Sequence, residues 1–445
     1  MSYIPNTDAD RARMLEALGL TSMEDLFADI PQEVRFPALD LPAPLSEMEV
    51  VRLLGELAER NADLDHYACF LGAGAYRHFV PAVVDHVLRR GEFYTCYTPY
   101  QPEVSQGTLT AIYEYQTMVC QLTGMEVANA SMYDGASALA EAALMAARVT
   151  RRDKVVLSAA IHPEYRQVVW TYSQGMELGI RDSGFGVRDG RTDLEELESA
   201  VDEETACVIV QYPNFFGVIE DLAALGEIAH ERGALFVVCA DPIALGLLKP
   251  PGDYGADIVV GEGQPLGSPP SFGGPYLGLF ATRMKYVRQM PGRVIGQTTD
   301  TQGRRGFVLT LQAREQHIRR EKATSNICTN EALMALAATV YLAAMGKGGL
   351  RRAAELCYHK AHYAASRIAE LPSYRVLNEE FFKEFMVQMP LPPAQVNARL
   401  LELGIIGGYD LGRAYPELAG SMLLCVTEMN TREEIDRLVE VLGEI

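Results

Sequence analysis

Lysine is scarce in this chain. Among its 445 residues, 39 are Lys or Arg and 59 are Asp or Glu, which gives a formal net charge of −20. Binding to nucleic acid or to an anionic membrane surface needs a basic face, so the charge balance argues against both kinds of partner. The seven lysines are Lys154, Lys249, Lys285, Lys322, Lys347, Lys360 and Lys383.

Metal-binding, secretory and membrane-spanning patterns are also missing. The eight cysteines form no CxxC pair, and His359 and His362, three residues apart, have no third ligand near them in the sequence. We therefore expect reduced, buried thiols and no metal site. The first residues lack a basic region followed by an apolar one, and no apolar run reaches membrane-spanning length. These features predict a cytoplasmic protein.

What the chain does contain is an alternation of apolar strands and helices between residues 125 and 282. The runs 235–240 and 258–260 are fully apolar, which is typical of strands buried on both faces. The pattern predicts an α/β fold with a mainly parallel sheet covered by helices. We assign residues 1–62 to a helical arm that lies on its own chain or on a partner, 63–340 to a large domain, and 341–445 to a smaller α/β domain.

Three segments outside the predicted sheet stand out by composition. Residues 93–107 hold four aromatics and two prolines without periodicity, which predicts an ordered loop. Residues 294–306 are polar and rich in glycine, which predicts an exposed or mobile loop. Residues 324–326, Thr-Ser-Asn, are predicted to cap the helix that follows them.

Several residues sit where strands end or helices begin. Asp241 follows the strand 235–240, and it could pair with a protonated pyridine nitrogen or simply cap a helix. Gly135 opens a helix whose N–H groups suit a phosphate, although such helix starts are common without any ligand. His162 could stack on a flat ring or be a partly exposed surface histidine. In this order they are typical of the large domain of fold-type I pyridoxal phosphate enzymes.

The turn that should carry the nucleophile of such an enzyme lacks it. Pyridoxal phosphate needs a lysine amine for its Schiff base, and no lysine lies between residues 250 and 284. Gln264 occupies the strand-end turn instead, and an amide cannot form an imine. We therefore predict no catalytic residue and no covalently bound cofactor in this chain, with Gly135, His162 and Asp241 as vestiges of a cofactor site.

Four long and unusual strings resemble the P-protein family of the glycine cleavage system, and within it the lysine-less subunit 1 of the two-subunit form. The resemblance extends over essentially the whole chain. The strings are Tyr97-Thr-Pro-Tyr-Gln-Pro-Glu-Val-Ser-Gln-Gly107, Asn129-Ala-Ser-Met-Tyr-Asp-Gly-Ala136, Gly263-Gln-Pro-Leu-Gly-Ser-Pro-Pro-Ser-Phe-Gly-Gly-Pro275 and Arg314-Glu-Gln-His-Ile-Arg-Arg-Glu-Lys-Ala-Thr-Ser-Asn-Ile-Cys-Thr329.

The resemblance implies a subunit of glycine dehydrogenase (decarboxylating), in a heterotetramer of two copies of each subunit. Subunit 2 would hold pyridoxal phosphate, glycine would be decarboxylated on it, and the aminomethyl group would pass to the lipoyl arm of H-protein. It also implies that loops of this chain reach the partner's site. Our candidates for that role are Tyr94, Tyr97, Tyr100, Gln106, Thr324, Ser325 and Asn326. The tyrosines could equally pack the interface, whereas plain helix capping is the favoured role of residues 324–326.

Two other functions stay open at this point. The chain could be a self-sufficient pyridoxal enzyme that uses a lysine elsewhere in the sequence. It could also be a catalytically silent scaffold or regulatory subunit of the same fold.

Overall fold

The computed structural model describes residues 5–176, 178–186 and 189–445, which divide into two compact units between residues 62 and 63. The first unit is the predicted arm and contains α1 (Asp8–Ala17) and α2 (Glu47–Ala58). No described side chain of the arm is buried, and its apolar residues Leu39, Leu41 and Met48 are largely exposed. Exposed apolar surface of this extent is typical of a segment that packs against another surface, of its own chain or of a partner.

The second unit holds the remaining helices and strands. Its helices are α3 Ala82–Leu88, α4 Gly91–Tyr94, α5 Gln106–Thr123, α6 Gly135–Thr150, α7 Pro163–Ser173, α8 Leu194–Ala200, α9 Leu222–Glu231, α10 Gln316–Arg319, α11 Ala332–Ile368, α12 Pro393–Glu402 and α13 Arg432–Gly443. Its strands are β1 Ala68–Cys69, β2 Val127–Ala128, β3 Lys154–Ser158, β4 Gly179–Ser183, β5 Thr205–Tyr212, β6 Leu235–Ala240, β7 Ile258–Glu262, β8 Gly278–Thr282, β9 Val294–Thr299, β10 Arg305–Thr310, β11 Arg375–Val376, β12 Glu384–Gln388, β13 Ile405–Ile406, β14 Tyr409–Asp410 and β15 Ser421–Cys425.

A seven-stranded sheet forms the centre of this unit, in the order β2-β8-β7-β6-β5-β3-β4. The strands from β7 to β4 pair in parallel, and β8 is antiparallel to both of its neighbours. Alternate residues of β5 point into different cores: Val208 and Val210 pack on one face, Cys207 and Ile209 on the other. The predicted mainly parallel sheet, covered on both faces, is confirmed.

A smaller antiparallel sheet, β11-β12-β15-β14, lies in the C-terminal part of the chain. The apolar faces of α12 and α13 contribute Val396, Leu400 and Leu438 to its core. Strand β1, far away in sequence, pairs in parallel with β13. The boundary we place at residue 340 stays a prediction.

Helix α11 contains a break at Gly346, whose φ of +59° is non-helical. The chain therefore runs as two helical segments that meet at a kink at this residue. By length and composition alone, α11 could cross a membrane, so the expectation that no apolar run is long enough is wrong. Ala337, Tyr341 and Ala354 of α11 are buried in the same core as the sheet.

Residues 294–306 were expected to be a loop, and this expectation is also wrong. They form most of a regular antiparallel hairpin, β9–β10. One face of the hairpin is buried against α5, where Ile295 and Phe307 pack with Leu109. The amide of Gln116 exchanges two hydrogen bonds with the backbone of Ile295. This burial outweighs the weak strand preference of the glycines.

Candidate functional site

The predicted cofactor residues meet at one edge of the central sheet. Asp241 directly follows β6, Glu262 ends β7, and Gln264 lies two residues further on. Gly135, the first residue of α6, lies close enough to donate its backbone N–H to Glu262. The carboxyl ends of parallel strands share an edge, which explains why residues so far apart in sequence come together.

Gln264 is completely buried, and its amide is fully engaged. Its Oε1 accepts from the Tyr76 N–H at 3.0 Å, and its Nε2 donates to the carbonyls of Tyr76 at 3.0 Å and Ser268 at 2.6 Å. At the position predicted for a Schiff-base lysine, the chain therefore has a glutamine whose side chain hydrogen-bonds the backbone of Tyr76 and that of Ser268.

Asp241 forms an ion pair with Lys383, a residue that sequence reasoning did not assign to the site. Lys383 Nζ lies 2.6 Å from Asp241 Oδ2, and the lysine side chain is almost completely buried. Burial favours the neutral form of each group, but the opposite charge of its partner outweighs it: the pKa of Asp241 is lowered and that of Lys383 is raised. A lysine held as an ammonium is a poor nucleophile, which argues against a self-sufficient enzyme that uses Lys383.

The charged network continues beyond Lys383. Its Nζ lies 3.2 Å from His78 Nε2, and His78 Nδ1 lies 2.7 Å from Glu428 Oε2. Burial acts to raise the pKa of Glu428, but its contacts with His78 prevail and hold that pKa at about 2. His78, Glu428 and Cys357 lie close enough to share a metal ion. The ammonium of Lys383 beside His78 disfavours a cation there.

The opposite end of the pocket is the N-terminus of α6. The Gly135 N–H donates to Glu262 Oε2 at 2.8 Å, and the N–H groups of Gln264 and Leu277 donate to Glu262 Oε1 at 2.9 and 3.1 Å. Burial raises the pKa of Glu262 to about 7, against the effect of these three donors. The helix N–H predicted to suit a phosphate is thus taken by a carboxyl group of the chain itself.

His162 is buried between aromatic rings, so the alternative of an exposed surface histidine is wrong. Its ring stacks on Tyr165, with centroids 4.7 Å apart, and contacts Phe215 edge-on. Its Nε2 lies 2.8 Å from the Ala73 carbonyl, while its Nδ1 accepts from the Glu164 N–H. Burial lowers the pKa of His162 and favours the neutral ring.

Tyr76 closes the middle of the site. Its ring centroid lies 3.5 Å from Lys383 Nζ, and its hydroxyl donates to Glu384 Oε2 at 2.9 Å. The cavity left between Tyr76, His162 and Asp241 measures about 30 Å³. Ligand pockets have volumes of roughly 300 Å³ or more, so pyridoxal phosphate does not fit among the residues present.

Comparison with known proteins identifies the family of the chain. The family model described as glycine cleavage system P-protein matches residues 1–442. The chain belongs to this family. A relative from Thermomicrobium roseum, named probable glycine dehydrogenase (decarboxylating) subunit 1, is 58% identical over 100% of this chain and 99% of the relative. One of the same name from Desulforamulus reducens is 57% identical over 100% of both chains. The predicted resemblance to the P-protein family is confirmed.

Solved structures agree with this assignment. A crystal structure titled glycine decarboxylase (P-protein) of the glycine cleavage system, in inhibitor-bound form, is 48% identical and superposes with a TM-score of 0.92 over 100% of both chains. A Burkholderia pseudomallei sphingosine-1-phosphate lyase, 17% identical over 93% of this chain and 94% of the lyase with a TM-score of 0.67, shows the fold alone. So does a Lactobacillus brevis glutamate decarboxylase, 13% identical over 93% and 95% with a TM-score of 0.70. The fold-type I class is confirmed, and the family is associated with pyridoxal phosphate.

The predicted partner-facing tyrosines of this P-protein family member differ in exposure. Tyr94, at the end of α4, and Tyr97 are 69% and 84% exposed. Tyr100 is held more firmly, because its hydroxyl accepts from Arg293 Nη2 at 3.2 Å. Gln106 uses its amide within the chain, in hydrogen bonds with Phe307 of the β9–β10 hairpin. Tyr94 and Tyr97 are therefore the members of this group whose side chains are most accessible to a partner.

Residues 324–326 do not cap a helix, contrary to expectation. Helix α11 begins at Ala332, and Glu331 is its N-cap residue. Ser325 Oγ accepts from the Ile327 N–H, a local turn that a Thr-Ser-Asn sequence favours as readily as a cap. The segment just beyond joins residues 93–107, the tyrosine loop, through Arg293, which donates to Thr329, Asn330 and Tyr100.

Proposed function

We propose that this chain is the cofactor-free subunit of a two-subunit glycine dehydrogenase (decarboxylating). The observation that supports the proposal is the small size of the pocket: Gln264 occupies the turn predicted to carry the Schiff-base lysine, and about 30 Å³ remains where a cofactor would lie. The printed name of its relatives, subunit 1, implies a partner subunit. The relatives' names do not favour a catalytically silent scaffold.

Glycine dehydrogenase subunit 2 is the proposed partner, in a heterotetramer of two copies of each subunit. In this proposal pyridoxal phosphate is bound by subunit 2, where glycine loses its carboxylate as carbon dioxide. The aminomethyl group then passes to the lipoyl arm of H-protein. Ligand sites form preferentially at interfaces, so exposed loops of one subunit can complete the site of the next. We propose the cytoplasm as the location of this reaction.

The arm and the tyrosine loop are the proposed contacts with subunit 2. The arm exposes apolar residues such as Leu39, Leu41 and Met48, which an interface core would bury. Tyr94 and Tyr97 present free hydroxyls that can hydrogen-bond substrate or cofactor in the partner's pocket. Tyr100, Thr324, Ser325 and Asn326 are proposed to support that loop.

The test is a reconstitution with this chain, subunit 2 and H-protein. Exchange of the glycine carboxylate with bicarbonate is measured for each subunit alone and for the two together, and the mass of the complex is determined. We expect exchange only when both subunits are present, in a complex of two plus two. Exchange by this chain alone with added pyridoxal phosphate would overturn the proposal, and equal exchange by subunit 2 alone would make this chain a scaffold.

A further inference from the structure

Two groups of this chain, an ammonium and a carboxyl, occupy the two points where a pyridoxal phosphate molecule would be anchored. We infer that this chain has replaced the cofactor with its own side chains: the ammonium of Lys383 takes the place of the protonated ring nitrogen on Asp241, and the carboxyl of Glu262 takes the place of the phosphate at the N-terminus of α6. The contacts in the pocket thereby connect two parts of the fold instead of binding a cofactor.

The Lys383 ammonium matches the protonated ring nitrogen of the cofactor in charge, and it contacts the aspartate that would bind that nitrogen. A protonated pyridine nitrogen is a cation that donates one hydrogen bond to a carboxylate at a strand end. The Lys383 ammonium is a cation that lies 2.6 Å from Asp241 Oδ2. Without a cation, Asp241 would be a buried carboxylate whose other oxygen accepts only from the backbone N–H groups of Ile243 and Ala244, at 2.9 and 3.5 Å.

The Glu262 end matches the phosphate in the same way. A helix N-terminus offers N–H donors and a partial positive charge to an anion. Here the Gly135 N–H donates to Glu262 Oε2, and the remaining oxygen accepts from Gln264 and Leu277. Gly135 has no room for a side chain, because a Cβ would lie 3.0 Å from Glu262 Cβ and 2.9 Å from the Tyr165 hydroxyl. The carboxyl of Glu262 is therefore packed tightly against the N-terminus of α6.

The two replacements come from different parts of the fold. Glu262 belongs to the central sheet, whereas Lys383 directly precedes β12 of the small sheet. The adjacent Glu384 accepts from the Ala73 N–H at 2.7 Å and from the Tyr76 hydroxyl. The side-chain contacts in the pocket therefore connect the small sheet and residues 73–78 to the central sheet.

This inference deepens the proposed function, because it explains why the cofactor is confined to the partner subunit. It is tested first with inorganic phosphate as the probe. Glu262→Ala should leave an empty anion site at Gly135, so phosphate should raise the thermal midpoint of this variant by several degrees over chloride of the same ionic strength. The wild-type chain should show no phosphate-specific shift.

Glu220→Ala is the matched control. Glu220 is also a buried carboxyl, and it accepts from the backbone N–H and hydroxyl of Thr192 and from the side-chain amide of Asn214, none of which is an N–H group of a helix. Phosphate should not stabilise this variant beyond chloride. A folded Glu262→Ala variant that responds equally to phosphate and chloride would overturn the inference.

A second measurement holds even if Glu262→Ala does not fold. Gln264→Lys supplies the missing amine while the two replacing groups remain in place. After incubation with pyridoxal phosphate and reduction with borohydride, we expect no cofactor fixed at residue 264. Stoichiometric fixation in this single variant would show that the pocket is open and would overturn the inference. The proposed function fails by a different result, fixation on the wild-type chain.

Discussion

The ammonium of Lys383 lies 2.6 Å from the carboxylate of Asp241, and the two residues come from different sheets. Asp241 follows β6 of the central sheet, and Lys383 precedes β12 of the small one. An ion pair buried to this degree contributes little over an apolar pair of the same size, but breaking it leaves one charge unpaired. The pair therefore makes the alignment of the two sheets depend on both residues.

The first prediction concerns this pair. Lys383→Met keeps the length of the side chain and removes its charge, so Asp241 is left buried and unpaired. We expect the free energy of unfolding in urea to fall by about 3–5 kcal/mol. Adding Asp241→Asn should restore more than half of the loss. If the loss of stability in the double variant equalled the sum of the losses caused by the two single substitutions, the two residues would not be coupled.

The second prediction concerns Gln264. Gln264→Leu removes one acceptor and two donors that hold the backbone of Tyr76 and Ser268, and it leaves those groups buried without partners. We expect a loss of about 2–4 kcal/mol in the free energy of unfolding. Gln121→Leu, on the exposed side of α5, is the control and should change stability by less than about 0.5 kcal/mol. Equal effects of the two substitutions would show that the hydrogen bonds of Gln264 do not stabilise the fold.

The third prediction is a pH dependence. Burial raises the pKa of Glu262 from 4.5 to about 7, so the folded chain binds this proton more tightly than the unfolded chain. The contribution of Glu262 to stability is therefore fully present below about pH 4.5 and is lost as the pH rises through about 7. The shift corresponds to about 3 kcal/mol.

Glu262→Gln cannot titrate and isolates this contribution. Between about pH 4.5 and pH 7, the wild-type chain should lose stability relative to the variant, as measured by urea unfolding at each pH. Glu384, whose pKa burial also raises to about 7, affects both proteins in the same way. A stability difference that stays constant across this range would contradict the raised pKa of Glu262.

The fourth prediction separates a catalytic contribution from a scaffold. Tyr94→Phe and Tyr97→Phe each remove one exposed hydroxyl and retain the ring. We expect glycine–bicarbonate exchange by the reconstituted complex to fall about tenfold or more for at least one of them, with assembly intact. Tyr286→Phe is the control and should leave the exchange rate unchanged. Unchanged turnover in both loop variants would favour the scaffold.

The sequence predicted the part of the site that parallel strands assemble. Asp241 and Gln264 follow neighbouring strands, and the edge at which such strands end was predictable from their apolar runs. Gly135 and His162 begin the helices that cross over the same sheet. Asp241 and His162 line one pocket together with Glu262, which accepts from the N–H groups of Gly135 and Gln264. The absence of lysine from the turn after β7 was visible in the sequence.

What the sequence did not predict are the groups that fill the pocket. Lys383 meets Asp241 across 142 residues, and no local pattern predicts such a pairing. A signal was present, because Lys383 and Glu384 interrupt an apolar run at residues 381–387. Glu262 likewise interrupts the apolar end of β7. Charged residues inside apolar runs are expensive to bury alone, so they indicate partners elsewhere in the chain.

The hairpin β9–β10 was missed for a different reason. Its glycines and polar residues indicated a loop, but Phe307 and Leu309 alternate with more exposed residues and are buried against α5. This alternation is a strand pattern that the glycine content obscured. The misplaced cap at residues 324–326 has a similar cause, since the same residue types favour turns and caps.

The central claim is that this subunit carries no cofactor within an active complex. The most direct measurement is borohydride reduction of the reconstituted, exchange-active complex, followed by mass spectrometric mapping of the reduced cofactor on both subunits. We predict that the label is confined to a lysine of subunit 2. Stoichiometric label on any lysine of this chain, Lys383 in particular, would contradict the account.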